Sequence, residues 1–277
     1  MDTKNANAEL RNLPIGVFDS GVGGLTVARE IFRNLPNEKI IYFGDTARVP
    51  YGNKSKETII RYSRQISKFL LSQNVKAIVI ACNTASALAL NELKEEVDVP
   101  VIGVVEPGAR AAAAATKNGR IGVIGTEGTI NSGLYTEFIK KIRPDCEIFG
   151  QPCPLFVSLV EEGMIDDAVT ITMIHRYLDK MIEENNIDAL ILGCTHYPLL
   201  RTIIAREIGD GITLVNPAYE TAQALKGLLA HRGLESSTPC TLADHSFFVS
   251  DGAMKFQQFA SSVLELDIQN TKLKILE

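Results

Sequence analysis

The amino-acid sequence predicts an α/β protein of two pseudo-symmetric, doubly wound domains whose mainly parallel sheets face each other across a central cleft. Three observations carry that reading. Short apolar runs alternate with longer stretches of helical period, the order expected of βα units. The runs Ala-Ile-Val-Ile at 77–80 and Ala-Leu-Ile-Leu at 189–192 are apolar throughout, which implies strands buried on both faces. Two pairs of segments also echo each other. Ile-Gly-Val-Phe-Asp-Ser-Gly at 15–21 is similar to Ile-Gly-Val-Ile-Gly-Thr-Glu at 121–127, and Lys-Ala-Ile-Val-Ile-Ala-Cys-Asn-Thr at 76–84 to Asp-Ala-Leu-Ile-Leu-Gly-Cys-Thr-His at 188–196. The separations are 106 residues from 15 to 121 and 112 from 82 to 194, equal but for a short insertion, as a duplicated α/β unit would give.

In chain order, strands are expected at 15–18, 40–43, 77–80, 101–104, 121–124, 147–149, 189–192, 213–215 and 247–249. The clearest helix covers 166–184, where Ile171, Ile174, Leu178, Met181 and Ile182 recur on one face. After Pro217, a helix at 218–230 and a strand–helix segment at 247–264 are too little for a third domain and are expected to return to the first. The expected division is therefore 14–108 plus 218–277 for one domain and 109–217 for the other. Residues 1–13 are polar, lack a signal peptide's apolar stretch, and read as a loose N-terminal extension.

Composition narrows the class. The 277 residues are 45% hydrophobic and 22% charged, as in an ordinary globular protein with a substantial core. A net charge of −5 gives no electrostatic reason to expect nucleic acid as the main partner. No run approaches the roughly 20 apolar residues that cross a bilayer, so no membrane partner is expected. Five cysteines without the spacing of a disulfide framework fit free thiols in a reducing, cytoplasmic compartment.

The chemistry centres on Cys82 and Cys194. Each follows a buried strand, in Cys82-Asn83-Thr84 and Cys194-Thr195-His196. If the duplication holds, each half presents one cysteine at the carboxyl end of an equivalent strand, where open α/β sheets bind ligands. Two thiols facing one small molecule suit inversion of a stereocentre, which needs a base on one face of a carbon and an acid on the other. Thiols qualify because their reference pKa near 8.5 responds to neighbouring groups. An isolated cysteine is more often simply packed; two in matched strand-end contexts argue against that. A structural zinc site wants three or four ligands, and only Cys194 and His196 cluster locally, so no metal is expected. A redox pair would want a Cys-x-x-Cys spacing, and a pyridoxal-phosphate enzyme a lysine at one of these strand ends; neither is present.

Other segments supply a binding surface. Phe18-Asp19-Ser20-Gly21-Val22-Gly23-Gly24-Leu25 is a strand, a glycine-rich turn and a helix start. It departs from dinucleotide and P-loop motifs, but suits close approach to a small anion. Asp45 to Gly52 forms a loop ending in the turn signature Pro50-Tyr51-Gly52. His196 is placed to tune Cys194 or relay a proton. His175, His231 and His245, with Cys146, Cys153 and Cys240, read as structural. Glu161-Glu162-Gly163 ends a predicted helix and could supply a supporting carboxylate.

Taken in this order, Phe18–Leu25, Pro50–Gly52, Ala81-Cys82-Asn83-Thr84-Ala85 and Gly193-Cys194-Thr195-His196-Tyr197-Pro198 resemble the glutamate racemase family, with similarity from about Pro14 to Leu264. The resemblance implies two α/β domains around a pocket and a cofactor-independent interconversion of L- and D-glutamate, supplying D-glutamate for the bacterial cell wall. Cys82 and Cys194 would transfer the α-proton. Asp19, Ser20, Tyr51, Gly52, Asn83, Thr84, Thr195 and His196 would bind substrate, with Asp19 and His196 also supporting the two thiols and Glu162 an outer partner of His196. Ser158 stands where the family commonly has proline. A homodimer is implied, its geometry not. Two alternatives stay open: an aspartate or other acidic amino-acid racemase, and a non-catalytic two-lobed protein that closes on a small anion. Arg48, in the Asp45–Gly52 loop, is the one Arg or Lys in the segments that would form the site, so substrate carboxylates are expected to rest on neutral donors.

Overall fold

The apolar runs fold as strands and the periodic stretches as the helices between them, in a computed structural model that describes residues 9–268 and 271–276. The first half runs β1 (Ile15–Asp19), α1 (Leu25–Asn34), β2 (Ile40–Gly44), α2 (Lys56–Ser72), β3 (Ala77–Ile80), α3 (Asn83–Glu96) and β4 (Val101–Gly103). Helix α4 (Val105–Ala115) leads to β5 (Arg120–Gly125), α5 (Glu127–Asn131), α6 (Leu134–Ile142), β6 (Glu147–Pro152), α7 (Leu155–Glu161), α8 (Ala168–Asn185), β7 (Ala189–Gly193), α9 (Arg201–Ile208) and β8 (Thr213–Val215). The chain ends with α10 (Pro217–Arg232), β9 (Ser246–Val249), α11 (Ala253–Leu264) and β10 (Thr271–Leu273).

Two sheets result, ordered β10-β9-β2-β1-β3-β4 and β6-β5-β7-β8. Every described strand pairing is parallel. Without β9 and β10, the first sheet's order β2-β1-β3-β4 becomes that of the second when each strand number is raised by four. The echo between residues 15–21 and 121–127 pairs β1 with β5, and the echo between 76–84 and 188–196 pairs β3 with β7. In each sheet the chain leaves the first strand to one side and returns on the other. The crevice at such a reversal, beyond the strands' carboxyl ends, is where open α/β sheets take ligands. Both cysteines stand there.

Four apolar clusters cover the sheet faces, two per sheet. Burial of each Val, Ile, Leu or Phe in them is worth about 1.5–3 kcal/mol. Helix α8 shows the local logic. Asp167 caps it by accepting the Val169 N–H at 2.7 Å. Ile174, Leu178 and Met181 are buried on its inner face, with Ile171 and Ile182 partly buried beside them. It stops at Asn186, which takes the left-handed conformation at φ 46°. The C-terminal strands β9 and β10 join the edge of the first sheet, and Ala222, Leu225 and Leu229 of α10 pack in its core.

Of the segment expected to be a loose N-terminal extension, residues 1–8 lie outside the described residues, and Arg11 is tied to the first domain's body. Arg11 donates to the Gly233 carbonyl at 2.8 Å, and its own carbonyl accepts from Lys76 Nζ at 2.6 Å. Lys76 is buried and paired with Glu38 beneath the first sheet. A buried ammonium needs every proton satisfied, and the N-terminal backbone supplies one acceptor.

Candidate active site

A cavity of about 250 Å³ opens between the carboxyl ends of β1 and β3 on one side and β5 and β7 on the other, and both Cys82 and Cys194 line it. A larger cavity of about 480 Å³ between α4 and α10 contains neither cysteine and is lined by Glu106, Arg110 and Glu220 among others.

Cys82 is the N-cap of α3, and its sulfur accepts the Ala85 N–H at 3.5 Å. The thiol donates to Ser20 Oγ at 3.6 Å. Burial and the neighbouring Asp19 push its pKa up to about 12, against the pull of the Ala85 N–H and Ser20. Cys82 is therefore held as a thiol. Asp19 is fully buried at the end of β1. Its Oδ2 accepts the Gly21 N–H at 3.0 Å, while Oδ1 has no hydrogen-bond partner. Burial raises its carboxyl pKa, opposed by His196 and the amides of Gly24, Gly21 and Ser20.

Cys194 has a different setting. Its sulfur lies 3.8 Å from His196 Nδ1, and His196 Nε2 lies 3.1 Å from Glu161 Oε1. Burial drives the imidazole pKa down, but Cys194, Glu161 and Asp19 outweigh it and raise the value to about 10. One cysteine thus sits over a buried carboxyl and the other beside an imidazolium.

The loop after β2 forms the lip. Tyr51 donates its hydroxyl to Asp45 Oδ2 at 2.5 Å, and Asp45 also receives Arg48 Nε at 2.7 Å and Ser250 Oγ at 2.9 Å. Burial and Asp45 push the Tyr51 phenol far above its ordinary value, so it stays a donor. Arg48 is spent on Asp45 and lies 4.1 Å over the Tyr62 ring, outside the cavity. Among the described lining residues, the cation is His196.

Backbone and hydroxyl contacts join the halves around the cavity. Thr26 Oγ1 donates to the Thr195 carbonyl at 2.9 Å, and Gly128 N–H to the Gly52 carbonyl at 2.9 Å. Thr84 and Thr126 hydroxyls meet at 2.9 Å. Gly23 is required by close approach: a Cβ there would stand 2.4 Å from Thr195 Oγ1 and 2.5 Å from the His196 ring.

Ser20, Tyr51, Gly52, Cys82, Asn83, Thr84, Cys194, Thr195 and His196 all line the cavity, and Asp19 lies buried behind it. Glu162 is a correction. The carboxylate that meets His196 is Glu161; Glu162 caps the end of α7, exposed, 3.9 Å from Lys255. Neighbouring helical positions lie about 100° apart, so only one of the two glutamates can turn inward. Sequence reasoning also missed Thr126, although the duplicated segment sets it opposite Ser20, and Asp45, whose role is visible only once β9 brings Ser250 to it. Cys146 and Cys153 are buried within the second half, and Cys240 is half-buried against His245. His175 is half-buried between Asp179 and Glu207. Among the described residues, no group of three or more His, Cys, Asp or Glu is arranged to hold a metal ion, and no helix is long and apolar enough to cross a membrane.

The Asp/Glu/Hydantoin racemase family model matches residues 15–225. A glutamate racemase of Geobacter metallireducens is 53% identical over 238 residues, 86% of this chain and 87% of that protein. One from Persephonella marina is 47% identical over 95% of this chain and 98% of its own length. Among solved structures, a glutamate racemase from Bacillus anthracis superposes with a TM-score of 0.91 at 41% identity, covering 95% of this chain and 98% of that one. The Francisella tularensis glutamate racemase in complex with D-glutamate gives 0.87 at 41% identity, over 96% and 98%. A Picrophilus torridus aspartate racemase, 18% identical with a TM-score of 0.56, shares the fold.

Proposed function

Because the chain belongs to the Asp/Glu/hydantoin racemase family, among its glutamate racemases, we propose that it interconverts L- and D-glutamate by two-base proton transfer between Cys82 and Cys194. The observation that supports this most is that the two sulfurs, from equivalent strand ends of the two halves, line one small cavity.

In one direction the Cys194 thiolate, beside the His196 imidazolium, removes the α-proton and becomes a thiol. The Cys82 thiol donates its proton to the opposite face of the resulting carbanion and becomes a thiolate. The reverse direction exchanges the roles, so the same atoms serve both enantiomers. Asp19, buried behind Cys82, takes the thiol proton when Cys82 is to act as base and returns it when Cys82 is to act as acid. Ser20, Tyr51, Gly52, Asn83, Thr84 and Thr195 hold the substrate carboxylates and ammonium. Donors fixed in a closed site stabilise the charge that develops on the α-carboxylate far better than water does. The D-glutamate formed suits cell-wall synthesis in the cytoplasm, and a homodimer is the expected assembly.

The test is a chiral assay of the purified protein on glutamate and aspartate without added cofactor, run in deuterated water. Product glutamate should carry deuterium at the α-carbon, and aspartate should turn over far more slowly. Product free of deuterium would remove the two-base scheme. Binding of glutamate without turnover would leave a two-lobed binding protein, and preference for aspartate would change the substrate. Replacing either cysteine by alanine should abolish racemisation with the fold retained.

A further inference from the structure

Tyr135 stands between the two cysteine-bearing strand ends without lining the cavity. It lies on α6 in the second half and is 3% exposed. Its hydroxyl donates to Oδ1 of Asn83, the residue after Cys82, at 2.7 Å. Its ring rests on the residue before Cys194: a Cβ built on Gly193 would stand 3.2 Å from ring atom Cε2, and one on Gly108 of α4 3.4 Å from Cε1. One side chain thus reaches from the backbone flanking one sulfur to the amide flanking the other.

We propose that Tyr135 is a positioning residue that turns the Asn83 amide nitrogen toward a substrate carboxylate and sets the approach of the Cys82 strand end to the Cys194 strand end. This deepens the racemase reading and rests on it. A carboxamide carries one acceptor oxygen and one donor nitrogen. With the oxygen held by Tyr135, the N–H groups of Asn83 are what remain for the cavity it lines. The reversed amide would turn its oxygen toward a carboxylate and repel it. Burial, with Cys194 adding to it, pushes the Tyr135 phenol far above its ordinary value, so the hydroxyl keeps a proton to donate throughout the working pH range.

The experiment is Tyr135→Phe, which keeps the ring and removes the hydroxyl. Loss of one such buried hydrogen bond is expected to raise KM for both enantiomers about tenfold, with kcat within about twofold. The same substitution in an Asn83→Ala background is expected to cost almost nothing further. A folded Tyr135→Phe enzyme with unchanged KM would overturn the proposal, as would a full tenfold loss persisting without Asn83. A merely structural role would lower the melting temperature and leave KM where it was. Asn83→Asp gives a second reading should Tyr135→Phe fail to fold. A carboxylate at that position still accepts from Tyr135 but offers no N–H, so D-glutamate binding by calorimetry should weaken at least about tenfold. Unchanged binding there refutes the assignment. The wild-type enzyme in deuterated water separates the two levels. Failure of wild type to racemise removes the racemase reading, whereas normal wild type with an unaffected variant removes only the role of Tyr135.

Discussion

Replacing Glu161 by Gln isolates one of the charges that, with Cys194 and Asp19, keep His196 protonated. The two groups are 3.1 Å apart, with the His196 side chain 8% and the Glu161 side chain 32% exposed. At an effective dielectric of about 20, a unit pair at that distance gains about 5 kcal/mol. Screening of the partly exposed carboxylate reduces this to about 2 kcal/mol, which is about 1.5 pKa units. The imidazolium, with a pKa of about 10 in the native site, should then lose its proton near pH 8.5. If a cation beside Cys194 is needed, kcat/KM of Glu161→Gln should match wild type at pH 7 and fall above about pH 8.5, where wild type holds to about pH 10. The assay is kcat/KM from pH 6.5 to 10.5 in both directions. The enantiomers are equal in free energy, so the two directions must fall together, which provides an internal control. An alkaline limb that does not move would refute the charge role. Uniform loss at every pH would assign Glu161 to geometry instead.

Three further outcomes follow from contacts around the site. Gly23→Ala forces a Cβ to within 2.4 Å of Thr195 Oγ1; kcat/KM should fall at least about 100-fold, as expected when reacting groups shift by about 1 Å, and an active variant would show that the loop yields. Ser250→Ala removes a buried donor to Asp45 and, at about 1 kcal/mol, should raise KM about fivefold through a loosened Tyr51; an unchanged KM would mean that Arg48 alone suffices to hold Asp45. His245 accepts the Ile40 N–H at Nδ1, 3.1 Å away, which requires a neutral ring, and burial lowers its pKa to about 4 despite attraction by Asp244. Its folded pKa lies below the unfolded value near 6.5, so its stability contribution is complete above that pH and is lost as pH falls toward 4. Partial exposure limits it to about 1–2 kcal/mol. Melting temperature should therefore decline between pH 6.5 and 4.5, and less steeply in His245→Asn; parallel curves would refute this.

Strands buried on both faces were legible because a continuous apolar run leaves little alternative once helices flank it. β10 was not. Thr271-Lys272-Leu273 is short, with Lys272 and Leu273 exposed, and it is a strand through its pairing with β9 at the sheet edge. The cysteines were legible through their matched strand-end contexts, while the inward turn of Glu161 rather than Glu162 depends on the helix phase at the end of α7. A seven-residue helix with one variant position at Ser158 does not fix that phase by pattern. Arg48 shows the same limit from the other side: sequence places a cation in the loop, and only the fold reveals the buried Asp45 that absorbs it.

The duplicated frame explains the geometry, but not which of the two sulfurs begins as the base. Inversion needs one thiol and one thiolate when substrate arrives; two equivalent thiols would share that single proton without preference for either sulfur. The asymmetry enters where the two halves differ. Asp19, which pushes Cys82 toward the thiol, aligns with Gly125, so Cys194 has no carboxyl in the corresponding place. His196, which sets a cation beside Cys194, aligns with Thr84, so Cys82 has no imidazole. Glu161 then fixes the charge of His196 from a helix that reaches the cavity in the second half. On the two-thiol reading, the backbone duplication supplies two opposed sulfurs, and these few unmatched side chains decide which of them begins as the base.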